Sequence, residues 1–396
     1  MANTKTIQRI LLLTCDTAWM NSHLVRGWRM TGAEVTVEHY GTNMGRGWDA
    51  AGERTHRERN ARWRRAASEI DARGGLDLVF MVALDDVLEN ETLAHFKSLG
   101  AKLVLYQADM LAQWYKVIRS SRFVDLICLG SQDHADYYRK RGVRLLNFGF
   151  AAIPPTKEEW NAPPIAYEGV LFTGSPWPYR QRVLRGMAEA GLPLRIFGHN
   201  WDRTGSWPKT PGGWRKTAHD IRAYMLPRLL EEGPQLVGQL ARRLLPAERD
   251  AVRSDAFPPG VIQGTYGDDQ IVPLVRGAAI NLGFTQIGLD AASEYPRMIR
   301  LREFEIPMMG GFYLTQNCPE LSRYFEIGRE IAVWETAQDV QERCRHYLAR
   351  PDERARIAEA GRRRALNNHT WTHRFQLMAD ELGMRLPTSA GAGAGA

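Results

Sequence analysis

The stretch Arg302-Glu303-Phe304-Glu305-Ile306-Pro307-Met308-Met309-Gly310-Gly311-Phe312-Tyr313-Leu314-Thr315 reads as a short helix that ends on two glycines and runs into an apolar strand. The glycines permit the tight helix-to-strand turn, because they accept backbone angles that a Cβ forbids. Working outward, the same alternation continues in both directions. Strands are predicted at 279–282 and 331–333, with helices near 337–349, 352–367 and 371–382. Upstream, 169–173 and 194–197 read as strands around a helix at 179–190. Further back, strands at 10–13, 34–38, 76–82, 103–106 and 126–129 alternate with a helix at 20–30 and a charged one at 49–73, the latter with Trp48 and Trp63. Buried, apolar strands separated by helices argue for parallel sheets covered on both faces.

The alternation breaks at 151–164, AAIPPTKEEWNAPP, where paired prolines can continue neither helix nor ladder. This linker divides the chain into two Rossmann-like α/β domains of doubly wound parallel sheet, 1–155 and 166–370, with residues 371–386 forming a helix that returns to the first. Residues 202–261 show no alternation and read as an insertion in the second domain. Within it, 221–245 has apolar residues at helical spacing, interrupted by Pro227 and Pro234. The tail 387–396, rich in Gly and Ala, is expected to be disordered.

Composition narrows the class. With 396 residues, 44% hydrophobic and 24% charged, the chain is that of a globular protein with two cores. A net charge of +7 is offset by many acids, so a nucleic-acid coating role is not expected, while anionic small partners are. Cys15, Cys128, Cys318 and Cys344 lack metal-finger spacing and read as reduced thiols, which predicts a cytoplasmic protein. The apolar run near the start is too short for a signal peptide, and no stretch approaches a membrane span. Neither Asp85-Asp86 nor Asp268-Asp269 has the DxD spacing of a metal-dependent sugar transferase, so no metal and no cofactor are implied. P-loop, dinucleotide and zinc-protease motifs are absent from the sequence.

The opening stretch carries chemistry as well as fold. A helix can aim its N-terminal end at a diphosphate while a carboxylate beside it accepts hydrogen bonds from ribose hydroxyls. Arg302 offers a planar fork to phosphate oxygens. The segment resembles the CgeB-like (spore-coat-protein-like) branch of GT-B glycosyltransferases, whose pattern is R-x-F-E-x-x-A-x-G-x-x-L-T, an EL pair, a phenylalanine, E-I and a final HT-x-x-x-R. Here these are REFEIPMMGGFYLT, Glu320-Leu321, Phe325, Glu330-Ile331, then His369-Thr370 with Arg374. The resemblance covers about the last 100 residues well and implies a GT-B fold and a sugar transferase using a UDP- or GDP-sugar donor. It makes Glu305 the ribose-binding carboxylate, with Arg302, Gly310 and Gly311 in the donor set. The E-x7-E pattern of retaining enzymes places a second acid where this chain has Arg297.

Two further loops match a donor domain. Gly174, Ser175 and Arg180 lie where a strand meets a helix, and His199 follows the next strand. In the first domain Asp16 and Asp109 end strands, where either suits a general base for an acceptor hydroxyl, or a helix cap. The acceptor is left open among glycan, protein, lipid and small molecule. The insertion, with Arg242, Arg243 and Arg249, fits either a helical hairpin or a peripheral contact with the inner face of a membrane. Two other readings share the architecture: a nucleotide-sugar epimerase, and a non-catalytic scaffold binding glycan or protein.

Overall fold

The computed structural model of the chain describes residues 4–41, 52–109, 113–201, 218, 221–233, 236, 257–267, 269–286 and 297–387. They fall into two compact units. The first comprises Met1–Ile153, Arg215–Glu232 and Thr370–Ala396; the second comprises Pro154–Trp214 and Gly233–His369. Expectations for Trp48, for most of the insertion and for the tail beyond 387 lie outside the described residues.

In the first unit, β1 (Arg9–Thr14), β2 (Glu34–His39), β3 (Leu78–Met81), β4 (Lys102–Gln107), β5 (Leu126–Leu129) and β6 (Leu145–Asn147) form one sheet. Its order is β2-β1-β3-β4-β5-β6 and every pairing is parallel. Sequence explains position. The runs LLLT, LVFM and LICL are buried along their whole length and sit centrally, whereas the mixed EVTVEH and LLN take the edges. The strand β6 was not anticipated, because three residues show no period.

The helix Trp371–Glu381 completes this unit. Its Phe375 stacks on Trp28 with ring centroids 3.7 Å apart. A Cβ at Gly27 would lie 2.7 Å from the Cβ of Trp371, so glycine there lets the two helices touch. Of the HT-x-x-x-R residues, Thr370 caps this helix and Arg374 donates to the Phe150 carbonyl from a buried position. His369, in the second unit, donates from Nε2 to the Tyr324 carbonyl. The signature residues thus hold backbone.

In the second unit, β7 (Tyr167–Thr173), β8 (Leu194–Phe197), β9 (Ile262–Gly264), β10 (Ala278–Gly283), β11 (Tyr313–Gln316) and β12 (Ala332–Trp334) give the order β12-β11-β10-β7-β8-β9, again wholly parallel. The chain winds one way through β7, β8 and β9 and the other way through β10, β11 and β12. The switch point is the crevice at the carboxyl ends of β7 and β10, where doubly wound sheets bind ligands. The insertion expected in this domain contributes Ile221–Met225 and Leu226–Glu232 to the first unit instead. The cause is local: Trp114 Nε1 donates to Glu232, and Arg228 lies over the ring of Tyr115. All four cysteines are buried free thiols.

Candidate functional site

At the end of β7 the chain turns through Gly174-Ser175-Pro176-Trp177 into the helix Pro178–Glu189, with Pro178 at its first position, where the missing N–H costs nothing. The three strand ends on this side are laced together. Gly174 N–H donates to the Phe197 carbonyl, Gly198 N–H to the Gly264 carbonyl, and Trp201 Nε1 to the Gly174 carbonyl at 2.7 Å. Gly198 has φ +156°, and a Cβ on it would stand 2.1 Å from the Gly174 oxygen. Glycine at 198 is therefore dictated by the meeting of β7 and β8. His199 follows, exposed on the same edge.

Arg180 points back from its helix toward this turn. Its guanidinium lies among the rings of Trp177, Phe172 and Phe284, 5.0 to 5.9 Å from their centroids. One nitrogen reaches the Ser175 carbonyl at 3.4 Å, and Nε finds no hydrogen-bond partner among the described residues. Burial, and then the charge of Arg300, pull its pKa down to about 9, so it keeps its proton at neutral pH at a cost. Arg300 reaches the site from the far side of the switch point and lies 5.2 Å from the Trp177 centroid. Two guanidinium groups share one indole there.

Arg302 has a different setting. Its Nη1 is 3.0 Å from Glu305 Oε2, and its Nη2 donates to the Tyr266 hydroxyl at 2.9 Å. Glu305 is nearly buried. Beside it, Glu303 is fully buried and accepts from the Tyr313 and Thr315 hydroxyls and the Arg300 N–H. Burial raises its pKa against the pull of those donors. Gly283 makes room for this network: a Cβ there would fall 2.2 Å from the Tyr313 oxygen.

The structure brings together Gly174, Ser175 and Arg180 on one side of the switch point, and Arg302 and Glu305 on the other. Gly310 and Gly311 lie elsewhere. They follow the helix Arg302–Met308 and precede β11, so they occupy the opposite edge of the sheet. Gly310, at φ +79°, turns the chain beneath Trp160, and Gly311 fits against Val275 and Asn281. Arg297, at the position of the second acid, pairs with Glu335 at 2.7 Å and donates to the Asn317 carbonyl. Sequence reasoning missed Arg300, Trp177, Tyr266 and Glu303. Only Glu303 had a signal, as a second carboxylate two residues before Glu305.

In the first unit, Asp16 follows β1, is exposed, and accepts from Asn21 Nδ2 at 2.9 Å. Asp109 follows β4, and its carbonyl accepts from the Gln113 N–H. Both stand on the carboxyl edge of the sheet, but β3 lies between their strands, which separates them by about 10 Å at the usual strand spacing. Among the described residues no group of three or more His, Cys, Asp or Glu side chains is placed to hold a metal ion.

Residues 235–380 match the family described as glycosyl transferase-like. Anabaena HepE in complex with UDP and glucose superposes with a TM-score of 0.54 at 13% identity, over 95% of this chain and 99% of that one. Sucrose-phosphate synthase from Thermosynechococcus elongatus gives 0.53 at 13% identity, over 94% and 98%. A glycosyltransferase from Rickettsia africae gives 0.51 at 12%, over 95% and 98%. No curated protein sequence matches the chain. The likeness is one of fold: two six-stranded parallel sheets with flanking helices, the GT-B architecture, with a glycosyl transferase-like domain over 235–380.

Proposed function

We propose that this chain transfers a sugar from a nucleoside diphosphate donor held by the second unit to an acceptor handled by the first. The observation that carries the proposal is Arg180: a partly buried cation whose buried Nε has no hydrogen-bond partner among the described residues, beside a second guanidinium, at the switch point of a doubly wound sheet. Such an arrangement is costly when empty and favourable around a diphosphate. HepE, similar in fold, has been captured with UDP and with UDP-glucose, which supports uridine as the base.

In this reading Glu305 accepts hydrogen bonds from the ribose hydroxyls, and Arg302 orients it. Arg180 and Arg300 face the diphosphate. As the bond between the anomeric carbon and the phosphate oxygen breaks, negative charge grows on the leaving diphosphate, where these two cations stabilise it. The acceptor oxygen bonds to the anomeric carbon and gives up its proton to a carboxylate, for which Asp16 and Asp109 are the candidates. The REFE and HT-x-x-x-R pattern supports the CgeB-like branch.

Calorimetry and thermal shift with UDP, GDP and UDP-glucose test the donor half. UDP is expected to bind and raise the melting temperature; absence of binding by any nucleoside diphosphate or nucleotide sugar overturns the proposal. UDP release on addition of an acceptor panel then tests transfer.

A further inference from the structure

The segment Ile221–Glu232 is folded inside out. It packs against the first unit through its polar and aromatic face: Arg228 and Glu232 form a two-pronged pair, with side chains only 16% and 9% exposed. Glu232 also accepts from Trp114 Nε1 at 3.1 Å, and Tyr224 packs on Tyr115 with centroids 5.6 Å apart. The opposite face carries Leu226, Leu229 and Leu230, three and four residues apart and hence on one side of the helix. These are 50%, 47% and 79% exposed, and Ile221, one turn earlier, is 56% exposed. Among the described residues, half of the exposed large hydrophobic side chains fall in this short segment, so the ridge is a local feature rather than ordinary surface.

What the ridge fits is decided by its surroundings. Arg222 is exposed on the same segment, and Arg141 reaches Glu231 at 4.0 Å. That contact joins the ridge to the exposed run Arg139-Lys140-Arg141, in which Arg139 pairs with Asp136 and nearby Arg144 with Glu381, so that Lys140 and Arg222 are the rim cations with no ion pair among the described residues. Apolar side chains standing out beside a cationic rim match the boundary between acyl chains and anionic headgroups. We propose that Ile221–Glu232 is a membrane-docking strap that seats Leu226, Leu229 and Leu230 in the interface of an anionic bilayer. The polar clamp beneath fixes the leucines outward, so docking needs no rearrangement of the segment. Among the described residues no helix is long and apolar enough to cross a membrane, so the contact is peripheral.

The test is co-sedimentation of the full chain with vesicles of phosphatidylcholine alone, or of phosphatidylcholine with one-third phosphatidylglycerol. The protein is expected to pellet with the mixed vesicles and much less with the neutral ones. Replacing all three leucines by serine (Leu226→Ser, Leu229→Ser, Leu230→Ser) removes exposed side chains only, and is expected to weaken binding roughly tenfold or more while UDP binding is unchanged. Lys140→Glu with Arg222→Glu is expected to abolish the preference for phosphatidylglycerol. The proposal is overturned if the parent protein stays in the supernatant, or if the serine variant pellets equally. It is also overturned if the only effect of the serines is to dissolve a dimer, since the ridge then belongs to a second copy. UDP binding, measured in parallel, keeps this outcome separate from that of the proposed function.

Discussion

Arg302 Nη1 lies 3.0 Å from Glu305 Oε2, one helical turn further along, so the carboxylate meets the switch point already paired and oriented. Replacing it by the isosteric amide keeps the shape and removes the charge. Glu305→Gln is expected to raise the dissociation constant for UDP about 10- to 100-fold, the value of one or two charge-assisted hydrogen bonds. Calorimetry measures this directly, and an unchanged constant removes Glu305 from the ribose site.

Arg180 predicts an opposition between stability and binding. Its charge is held among aromatic rings with Arg300 nearby, which is unfavourable without a ligand. Arg180→Met keeps the volume and drops the charge. The ligand-free protein is expected to gain about 1 kcal/mol in chemical denaturation, as when a buried ion gives way to an apolar side chain. The UDP-induced rise in melting temperature is expected to vanish. A variant that loses stability instead would show that Arg180 serves the core.

The laced strand ends give a steric test. Gly198→Ala places a methyl group 2.1 Å from the Gly174 oxygen, so either backbone must move. A loss of about 2–4 kcal/mol is expected, larger than that of most single substitutions. Trp201→Phe removes the donor to Gly174 together with part of a buried ring packed on Phe172 and Phe257, and is expected to lose about 1–3 kcal/mol. Equal effects from the two would mean that packing, and not the close approach, governs this edge.

Three histidines of the first unit set a pH response. His56, His134 and His373 are all held below the ordinary histidine value, with burial the largest cause in each. Each is therefore neutral in the fold at a pH where the unfolded chain has taken up a proton, and stability is lost as pH falls through about 6.5. The double variant His56→Gln with His134→Asn is expected to flatten the decline in melting temperature between about pH 7 and pH 5. Asparagine also accepts the φ of +55° that His134 adopts. Identical slopes would exclude both residues as the source.

Much of this architecture could be read without coordinates, for reasons visible in particular residues. Central strands such as LLLT in β1 and LVFM in β3 are continuous apolar runs because helices cover both faces, so composition alone marks them. The edge strands β6 and β9 have three residues each and are partly to largely exposed, so neither period nor apolar run marks them, whereas the equally short β12 is apolar and mostly buried. Glycines 310 and 311 stand close to Arg302 in the family-like motif, and the helix Arg302–Met308 separates them from it in space. Arg300 and Trp177 went unnoticed for the converse reason. They are far apart in sequence and become neighbours only because β7 and β10 pair. The helical segment 221–232 was assigned by chain continuity, whereas the Trp114–Glu232 hydrogen bond decides where it folds.

The interleaving of the two units also imposes an order of assembly. The second unit is complete once the ribosome has delivered His369. The first unit, although begun earlier, lacks its covering helix until Trp371–Glu381 has been made, and until then Gly27 and Trp28 face no partner from that helix. The half of the protein synthesised first is thus the half that finishes last. Through the synthesis of the entire second sheet, Trp28 lacks the ring of Phe375 that stacks on it in the finished fold.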